Sequence, residues 1–308
     1  MSESPLAPPA VIGFVGLGNM GYPMVQRLLG AGFRVRGFDT SADAVAKLFG
    51  SAGFEAAADA ADVATGADAV ILMLPDSAIV EAVSTRSGLL DKLGKDAVLI
   101  DMSSSDPIRT RALADVIAGA GIRFIDAPVS GGVKGAVAGT LTVMVGGETM
   151  TLDHVAAVLA PFGRVVHCGD IGAGDAVKAL NNLMSAAHLL ASSEAILAGR
   201  EFGLDPKTIL DVVNGSSGRS GSTENKWPNF VLTGAFNSGF SMKLMVKDIR
   251  IALGLIESTS VPASLSQATV SAWETALEDL ADSLPGGADH TDIARWLDHA
   301  TAAHTDPS

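Results

Sequence analysis

The sequence predicts an α/β protein, in which a doubly wound parallel sheet is followed by an all-α domain. Short apolar runs alternate with helical patterns over the first half of the chain, and no strand pattern follows Gly172. Strands with continuous apolar character are typical of parallel sheets that helices cover on both faces. The chain has 308 residues, of which 48% are apolar, so it is long enough to build two hydrophobic cores.

The order of these patterns divides the chain into two domains. Seven strand-like runs lie in the first half, at 11–15, 33–38, 69–74, 97–101, 122–126, 141–145 and 164–167. Helical patterns between them include 19–31 and 106–120, the second with a proline in its first turn. The second half has helical patterns only, at 175–202, 206–213, 241–256, 264–281 and 291–299. We expect a disordered lead over residues 1–10, a sheet domain over 11–171, and a helical domain over 172–308 that a long interdomain helix opens.

Composition excludes several classes of function. The formal charge of −13 argues against nucleic acid as a partner, because phosphate binding needs a basic surface. The most apolar stretch, 179–199, carries four polar side chains that would be costly in lipid, so we expect no membrane span. The single cysteine, Cys168, fits a reducing cytoplasm, and the opening residues do not form a signal peptide. The six histidines show no ligand spacing, so no metal site is predicted.

A glycine-rich loop, GLGNMG, directly follows the first predicted strand and begins a helix. In this context Gly16 permits the tight turn, Gly18 lets a pyrophosphate approach the backbone, and Gly21 lets helix and strand pack closely. Free amides at the helix N-terminus then face the phosphates. The loop predicts that residues 11–171 form a dinucleotide-binding Rossmann domain. Its cofactor-binding residues are predicted to be Gly16, Leu17, Gly18, Asn19, Met20 and Gly21.

An acidic residue at the end of the second strand bears on the identity of the cofactor. Asp39 lies 18 residues past the loop, where its carboxylate can accept hydrogen bonds from the adenosine ribose hydroxyls. Its charge would repel a 2′-phosphate, and the two residues that follow it are not basic. NAD is therefore favoured over NADP. Arg34 and Arg36 lie on the preceding strand and leave NADP as the less favoured alternative.

A second glycine-rich segment, residues 126–147, separates two apolar runs and belongs to a set of six ordered motifs. The motifs are GLGNMG (16–21), MLPD (73–76), DMSSSDP (101–107), DAPVSGGVKGAVAGTLTVMVGG (126–147), GAGDAVKALNN (172–182) and LMVKD (244–248). With them the chain resembles the β-hydroxyacid dehydrogenase family, which includes 3-hydroxyisobutyrate dehydrogenase and tartronate semialdehyde reductase. The resemblance spans nearly the whole chain.

The resemblance implies a substrate-binding role for the second glycine-rich segment. In the family this loop binds the substrate carboxylate, and the matching residues here are Ser130, Gly131 and Gly132. The residue types suit that task, because glycines expose backbone amides and the serine adds a hydroxyl donor. The loop also leaves the carboxyl end of a predicted parallel strand, where α/β sheets bind ligands.

Two polar residues on the predicted long helix complete the candidate catalytic set. Lys178 and Asn182 are four residues apart and project from one helix face, which Ser185 shares. Apolar neighbours should lower the pKa of the lysine by desolvation. The resemblance implies that Lys178 is the general acid/base and that Asn182 orients the substrate or the lysine. Considered alone, Lys178 would be an ordinary surface lysine of an amphipathic helix.

The resemblance also implies further contacts with the cofactor. Leu74, Pro75 and Ser104 match positions that line the nicotinamide side of the pocket. Lys247 matches a lysine that reaches the site from the helical domain, where it could bridge cofactor and substrate. The neighbouring Asp248 is predicted to anchor a helix by hydrogen bonding.

These observations predict an NAD-dependent dehydrogenase that oxidises a short β-hydroxy acid, such as 3-hydroxyisobutyrate, to its semialdehyde and catalyses the reverse reduction. Tartronate semialdehyde reductase and another 3-hydroxy acid or sulfonate dehydrogenase are the alternatives. An imine reductase and a non-catalytic nucleotide-binding module are less favoured, because such relatives generally lack a lysine at the position of Lys178. We expect a cytoplasmic homodimer or homotetramer, in which the helical domain contributes to substrate binding and dimerisation.

Overall fold

The computed structural model describes residues 4–284 and 286–305, without the side chains of residues 300–305. The chain divides into two compact units, Met1–Lys178 and Ala179–Ser308. The division falls inside the long helix, so the first residues of that helix belong to the first unit. There the Asp175 amide donates a hydrogen bond to Asp126 of the sheet.

Within the described residues, nine strands form the sheet of the first unit. They are β1 (Val11–Val15), β2 (Arg34–Phe38), β3 (Phe54–Ala56), β4 (Ala69–Leu72), β5 (Val98–Asp101), β6 (Arg123–Asp126), β7 (Val129–Ser130), β8 (Leu141–Gly146) and β9 (Gly163–Gly169). Their order is β3-β2-β1-β4-β5-β6-β8-β7, with β9 paired to β8. Strands β1 to β6 are parallel, whereas β8 is antiparallel to β6 and β7. The predicted fold class is confirmed.

Helices cover both faces of this sheet. They are α1 (Gly21–Gly30), α2 (Ala42–Ala46), α3 (Ser77–Arg86), α4 (Leu89–Lys92), α5 (Pro107–Gly119), α6 (Gly132–Ala138) and α7 (Thr149–Leu159). Neighbouring residues of β1 point to opposite faces, so Phe14 joins one hydrophobic core and Val15 the other. Helix α5 begins with Pro107, and the Asp106 carboxylate caps it by accepting from two backbone amides.

The second unit is helical. Its elements are most of α8 (Ala173–Glu201), then α9 (Pro206–Asn214), a π-helical segment (Ser222–Val231), α10 (Met242–Glu257), α11 (Ser264–Ala281) and α12 (Asp292–Thr305). Their apolar faces enclose a core around the fully buried Trp273. The predicted helices are present, whereas the π-helical segment was not predicted, since Pro228 within it argues against a helix.

The first residues of the chain differ from the prediction of a disordered lead over residues 1–10. Residues 1–3 lie outside the described residues. From Leu6 onward the prediction is wrong, because the Leu6 amide donates a 2.8 Å hydrogen bond to the His154 carbonyl and its side chain packs against the core. Among the described residues, none of the helices is both long and apolar enough to span a bilayer.

Candidate active site

The carboxyl ends of five parallel strands form one row across the sheet. Val15 is paired with Phe38 on one side and Leu72 on the other, Leu72 with Asp101, and Asp101 with Asp126. Neighbouring strands are about 4.8 Å apart, so the row is roughly 19 Å long. The predicted cofactor and substrate loops of the first unit all follow this row. Such an edge is where open α/β sheets bind ligands.

The three glycines of the first loop have different surroundings. Gly16 has φ +99°, and a Cβ there would lie 2.2 Å from the Met73 carbonyl oxygen. A Cβ on Gly21 would lie 1.8 Å from the Gly16 carbonyl oxygen. A Cβ on Gly18 would meet no protein atom within 4 Å, and Gly18 is exposed. Gly16 and Gly21 therefore close the turn against the sheet, while the open space beside Gly18 fits a cofactor phosphate.

Asp39 connects the end of β2 to this loop. Its Oδ2 accepts a 2.7 Å hydrogen bond from the Leu17 amide, and its Oδ1 accepts one of 2.7 Å from the Ser41 amide. A carboxylate oxygen can accept a second hydrogen bond, so Asp39 retains acceptor capacity for ribose hydroxyls. In the same loop Leu17 is buried, Asn19 is exposed and Met20 is partly exposed.

The two arginines of β2 lie away from the carboxyl end of that strand, which Asp39 follows. Arg36 donates a 2.8 Å hydrogen bond to the Thr65 carbonyl and forms a 3.2 Å ion pair with Asp62. Arg34 begins the strand, five residues before Asp39, a distance of about 16 Å along an extended chain. These contacts do not support a role for either arginine in binding a 2′-phosphate.

The loops after β4 and β5 are hydrogen bonded to each other. The Leu74 amide donates to Ser103 Oγ at 2.9 Å, and the Ser103 amide donates to Asp101 Oδ1 at 2.9 Å. Leu74 and Ser104 are partly exposed and Pro75 is exposed. Asp101, at the end of β5, thus orders both loops, and these carry the three residues predicted to line the nicotinamide side.

The predicted substrate loop follows β6. Ser130 lies on β7, opposite Thr142 of β8, and is partly exposed. The next residues, Gly131 and Gly132, have φ +131° and +62°, which L side chains rarely adopt. Both glycines are exposed, and a Cβ on Gly132 would meet no protein atom within 4 Å. The loop therefore presents backbone and one hydroxyl to open space.

Buried carboxylates attach the start of α8 to the sheet. Asp126, at the end of β6, accepts from the Gly172 amide at 2.6 Å and from the Asp175 amide at 2.8 Å. The Asp175 carboxylate in turn accepts a 2.8 Å hydrogen bond from the Thr110 hydroxyl. Lys178 follows one turn later and is buried, with 8% of its surface exposed. This network, which the sequence did not predict, fixes the helical turn that carries Lys178.

The same network should make stability depend on pH. Burial raises the pKa of Asp175 well above its usual range, and the charges of Asp101 and Asp126 add to the effect. A raised pKa means that the folded state binds a proton that the unfolded state has released, so stability falls as pH rises above about 4.

In Asp175→Asn this group cannot titrate. We therefore expect the free energy of unfolding of the variant to decline less between pH 5 and pH 8 than that of the wild type. One proton accounts for at most about 1.4 kcal/mol per pH unit. Urea unfolding at both pH values measures the difference, with the exposed Asp211→Asn as control. Parallel pH profiles of Asp175→Asn and wild type would contradict the expectation.

Asp248 of α10 orders two of the predicted site residues within the helical unit. The Asn182 side-chain amide donates to Asp248 Oδ2 at 2.6 Å, and Lys247 Nζ lies 3.0 Å from Asp248 Oδ1. Asp248 and Asn182 are buried. One Asn182 donor is thus already engaged, so its orientation is fixed by Asp248 rather than left to a substrate.

Sequence reasoning missed two groups of residues. The buried carboxylates had a detectable signal, because β5 and β6 both end in aspartate after an apolar run. Lys226 had none: its ammonium donates a 2.6 Å hydrogen bond to Ser185, which lies 41 residues earlier in the chain.

Comparisons with known proteins match both halves of the chain. Residues 11–170 match the sequence model described as the NAD binding domain of 6-phosphogluconate dehydrogenase. Residues 172–297 match the model described as NAD-binding of NADP-dependent 3-hydroxyisobutyrate dehydrogenase. The chain belongs to the β-hydroxyacid dehydrogenase family. The predicted family is thereby confirmed, and the protein is an NAD(P)-dependent oxidoreductase with hydroxyacid dehydrogenase activity.

Individual members of the family are similar to this chain over most of their own length. The 2-(hydroxymethyl)glutarate dehydrogenase of Eubacterium barkeri is 40% identical over 85% of this chain and 88% of its own. The human mitochondrial 3-hydroxyisobutyrate dehydrogenase is 40% identical over 82% of this chain and 78% of its own. The structure of a Mycobacterium tuberculosis 3-hydroxyisobutyrate dehydrogenase with L-serine superposes with a TM-score of 0.87 at 33% identity, covering 94% of this chain and 99% of that one.

Proposed function

We propose that this dehydrogenase oxidises a short β-hydroxy acid, such as 3-hydroxyisobutyrate, to its semialdehyde with NAD, and catalyses the reverse reduction. The observation that carries the proposal is the single row of strand ends. The open glycine turn at Gly18 and the proposed substrate loop at Ser130 both follow strands of this row. A dinucleotide and a small acid can therefore bind at one edge of one sheet.

The substrate carboxylate binds at the loop after β6. The Ser130 hydroxyl and the amides of Gly131 and Gly132 donate to it, and the positive φ angles of the glycines support this role because successive amides can then converge on one anion. This contact orients the substrate and leaves its carbinol carbon free to react.

Two sets of residues hold the dinucleotide. Residues 16–21 bind the pyrophosphate and Asp39 binds the adenosine ribose, while Leu74, Pro75, Ser104 and Lys247 contact the nicotinamide end. When bound, the nicotinamide accepts the hydride of the oxidation.

Lys178 is the general acid/base. In the oxidation its neutral amine removes the hydroxyl proton, and in the reduction its ammonium returns a proton to the carbonyl oxygen. The burial of Lys178 supports this role, because little water competes for the proton. Asn182, held by Asp248, orients the substrate by hydrogen bonding.

Ser130→Ala tests the carboxylate contact. We expect the KM for 3-hydroxyisobutyrate to rise about tenfold or more, since losing a hydrogen bond to a charged group costs about 1.5–3 kcal/mol. The low activity with 2-methyl-1-propanol, which lacks the carboxylate, should change little. Steady-state absorbance assays at 340 nm measure both, with the exposed Ser264→Ala as control. Equal KM values for the acid in variant and wild type would contradict the assignment.

Asp39→Ala tests the choice of cofactor. In the wild type we expect kcat/KM for NAD to exceed that for NADP by about tenfold or more, because a 2′-phosphate near the Asp39 carboxylate is repelled. The variant should narrow this ratio. Asp43→Ala, an exposed carboxylate in the first turn of α2, is the matched control and should leave the ratio unchanged. Equal efficiencies in the wild type would refute the preference for NAD.

A further inference from the structure

A third polar residue, Ser185, lies on the face of α8 that carries Lys178 and Asn182. Ser185 is seven residues after Lys178 and three after Asn182, so the three side chains share one side of the helix. Ser185 is partly exposed and accepts a 2.6 Å hydrogen bond from Lys226 Nζ. Lys226 itself belongs to the π-helical segment and is also partly exposed.

The positive charge of Lys226 has no ion-pair partner within 4 Å among the residues that the structure describes. Asp289 is the acidic group that acts on it electrostatically, without direct contact. The Asp289 carboxylate is already occupied: it accepts from the Ser238 hydroxyl, the Gly239 amide, and both the amide and hydroxyl of Thr291. Of the three ammonium protons of Lys226, one is used by Ser185 and two can serve a ligand.

Lys226 keeps its charge near neutral pH despite this environment. Burial lowers its pKa to about 8, with Asp289 opposing the effect. Burial, and then the charge of Lys226, lower the pKa of His290 to about 4, so His290 is neutral. A partly desolvated ammonium that no internal anion neutralises is well suited to bind a ligand with negative charge.

We propose that Lys226 and Ser185 bind a second anionic group of the substrate, distal to the carbinol. This inference rests on the proposed function, because it extends the same site. Ser185 lies roughly 10 Å beyond Lys178 along the helix axis. From the hydroxyl oxygen to an oxygen of an anionic group four bonds from the carbinol carbon there are six covalent bonds, about 7.5 Å when extended. With a hydrogen bond of about 2.8 Å at each end, such a substrate reaches about 13 Å and covers that distance. The substrate class is a β-hydroxy acid with a carboxylate, sulfonate or phosphate about four bonds from its carbinol carbon.

The alternative is a structural role, in which Lys226 merely attaches the π-helical segment to α8 through Ser185. In that case Lys226→Met would lower stability but would not change the preference of the enzyme between substrates that differ only in distal charge. Substrate preference therefore distinguishes the two roles, whereas stability does not.

The test compares 2-(hydroxymethyl)glutarate with the derivative in which its distal carboxylate is an amide. We expect wild-type kcat/KM to be at least tenfold higher for the diacid than for the amide, and Lys226→Met to reduce this ratio to about one. Lys207→Met, an exposed lysine of α9, should keep the wild-type ratio. Analogues with a distal sulfonate or phosphate then show which anion is preferred. A wild-type ratio near one, or an unchanged ratio in Lys226→Met, would overturn the proposal.

A binding measurement does not depend on turnover. Calorimetric titration with glutarate should give a dissociation constant at least tenfold weaker for Lys226→Met than for the wild type, and Lys226→Arg should retain part of the affinity. If no β-hydroxy acid is oxidised, the proposed function fails while this titration still decides the role of Lys226. If Lys226→Met does not fold, Lys226→Gln, which keeps a hydrogen-bond donor for Ser185 but carries no charge, replaces it in both measurements. Glutarate binding that is equal in both proteins would contradict the proposal.

Discussion

Lys178→Ala should lower kcat by about 10²- to 10⁴-fold, the contribution typical of a general acid/base. The lysine is buried on the first turns of α8, and that part of the helix is fixed by the hydrogen bonds of Asp126. Removing the side chain therefore deletes the proposed proton acceptor while its surroundings stay in place. NADH binding, followed by fluorescence titration, should be preserved.

A second variant of Lys178 distinguishes the loss of proton transfer from the loss of positive charge, and an exposed lysine serves as the control. Lys178→Arg keeps a positive charge but cannot release a proton near neutral pH, so we expect it to be as inactive as the alanine variant. Lys243→Ala, an exposed lysine of α10, should leave kcat unchanged. A Lys178→Ala enzyme with more than about a tenth of wild-type kcat would rule out Lys178 as the acid/base.

Substitutions in the first glycine loop should have the second largest effect, and they should separate cofactor binding from folding. In Gly21→Ala the added Cβ would lie 1.8 Å from the Gly16 carbonyl oxygen, so the backbone must move. We expect a loss of about 3 kcal/mol or more in stability together with loss of NADH binding. In Gly18→Ala the added Cβ meets no protein atom within 4 Å. Stability should therefore change by less than about 0.5 kcal/mol, while the Kd for NADH rises tenfold or more.

Gly30→Ala provides the matched control, because a Cβ at this helix-terminal glycine also meets no protein atom within 4 Å and lies outside the loop. It should leave NADH affinity unchanged and raise stability towards urea by at most about 1 kcal/mol. If Gly18→Ala bound NADH as tightly as the wild type, the phosphate would not lie against Gly18.

The fold could be predicted from the sequence because its signals are local. Apolar runs predicted the central strands, and Gly16 and Gly21 mark a turn that side chains at those two positions would obstruct. The strands β3 and β7 were missed because three and two residues are too few to show a pattern. The π-helical segment was missed because Pro228 opposes a helix and only packing overrides it.

The part of the candidate site that was missed depends on contacts between distant residues. Asp126 acts on amides 46 and 49 residues later, and Lys226 contacts a serine 41 residues earlier. No rule based on sequence spacing predicts contacts between residues so far apart in the chain. The resemblance to the family identified Lys178, Asn182 and the substrate loop, and Asp248 was predicted as a hydrogen-bonding anchor. The buried Asp126 and Asp175, which fix the start of α8, were not identified.

The central claim is that hydride leaves the carbinol carbon of a β-hydroxy acid and is transferred to NAD. The most direct measurement uses 3-hydroxyisobutyrate in which both hydrogens of that carbon are deuterium, and mass spectrometry of the reduced cofactor. We predict one deuterium in each NADH formed, trapping of the semialdehyde by a hydrazine, and no NADH with 2-methyl-1-propanol beyond a trace. Reduced cofactor without deuterium, or equal turnover of the neutral alcohol, would contradict the account.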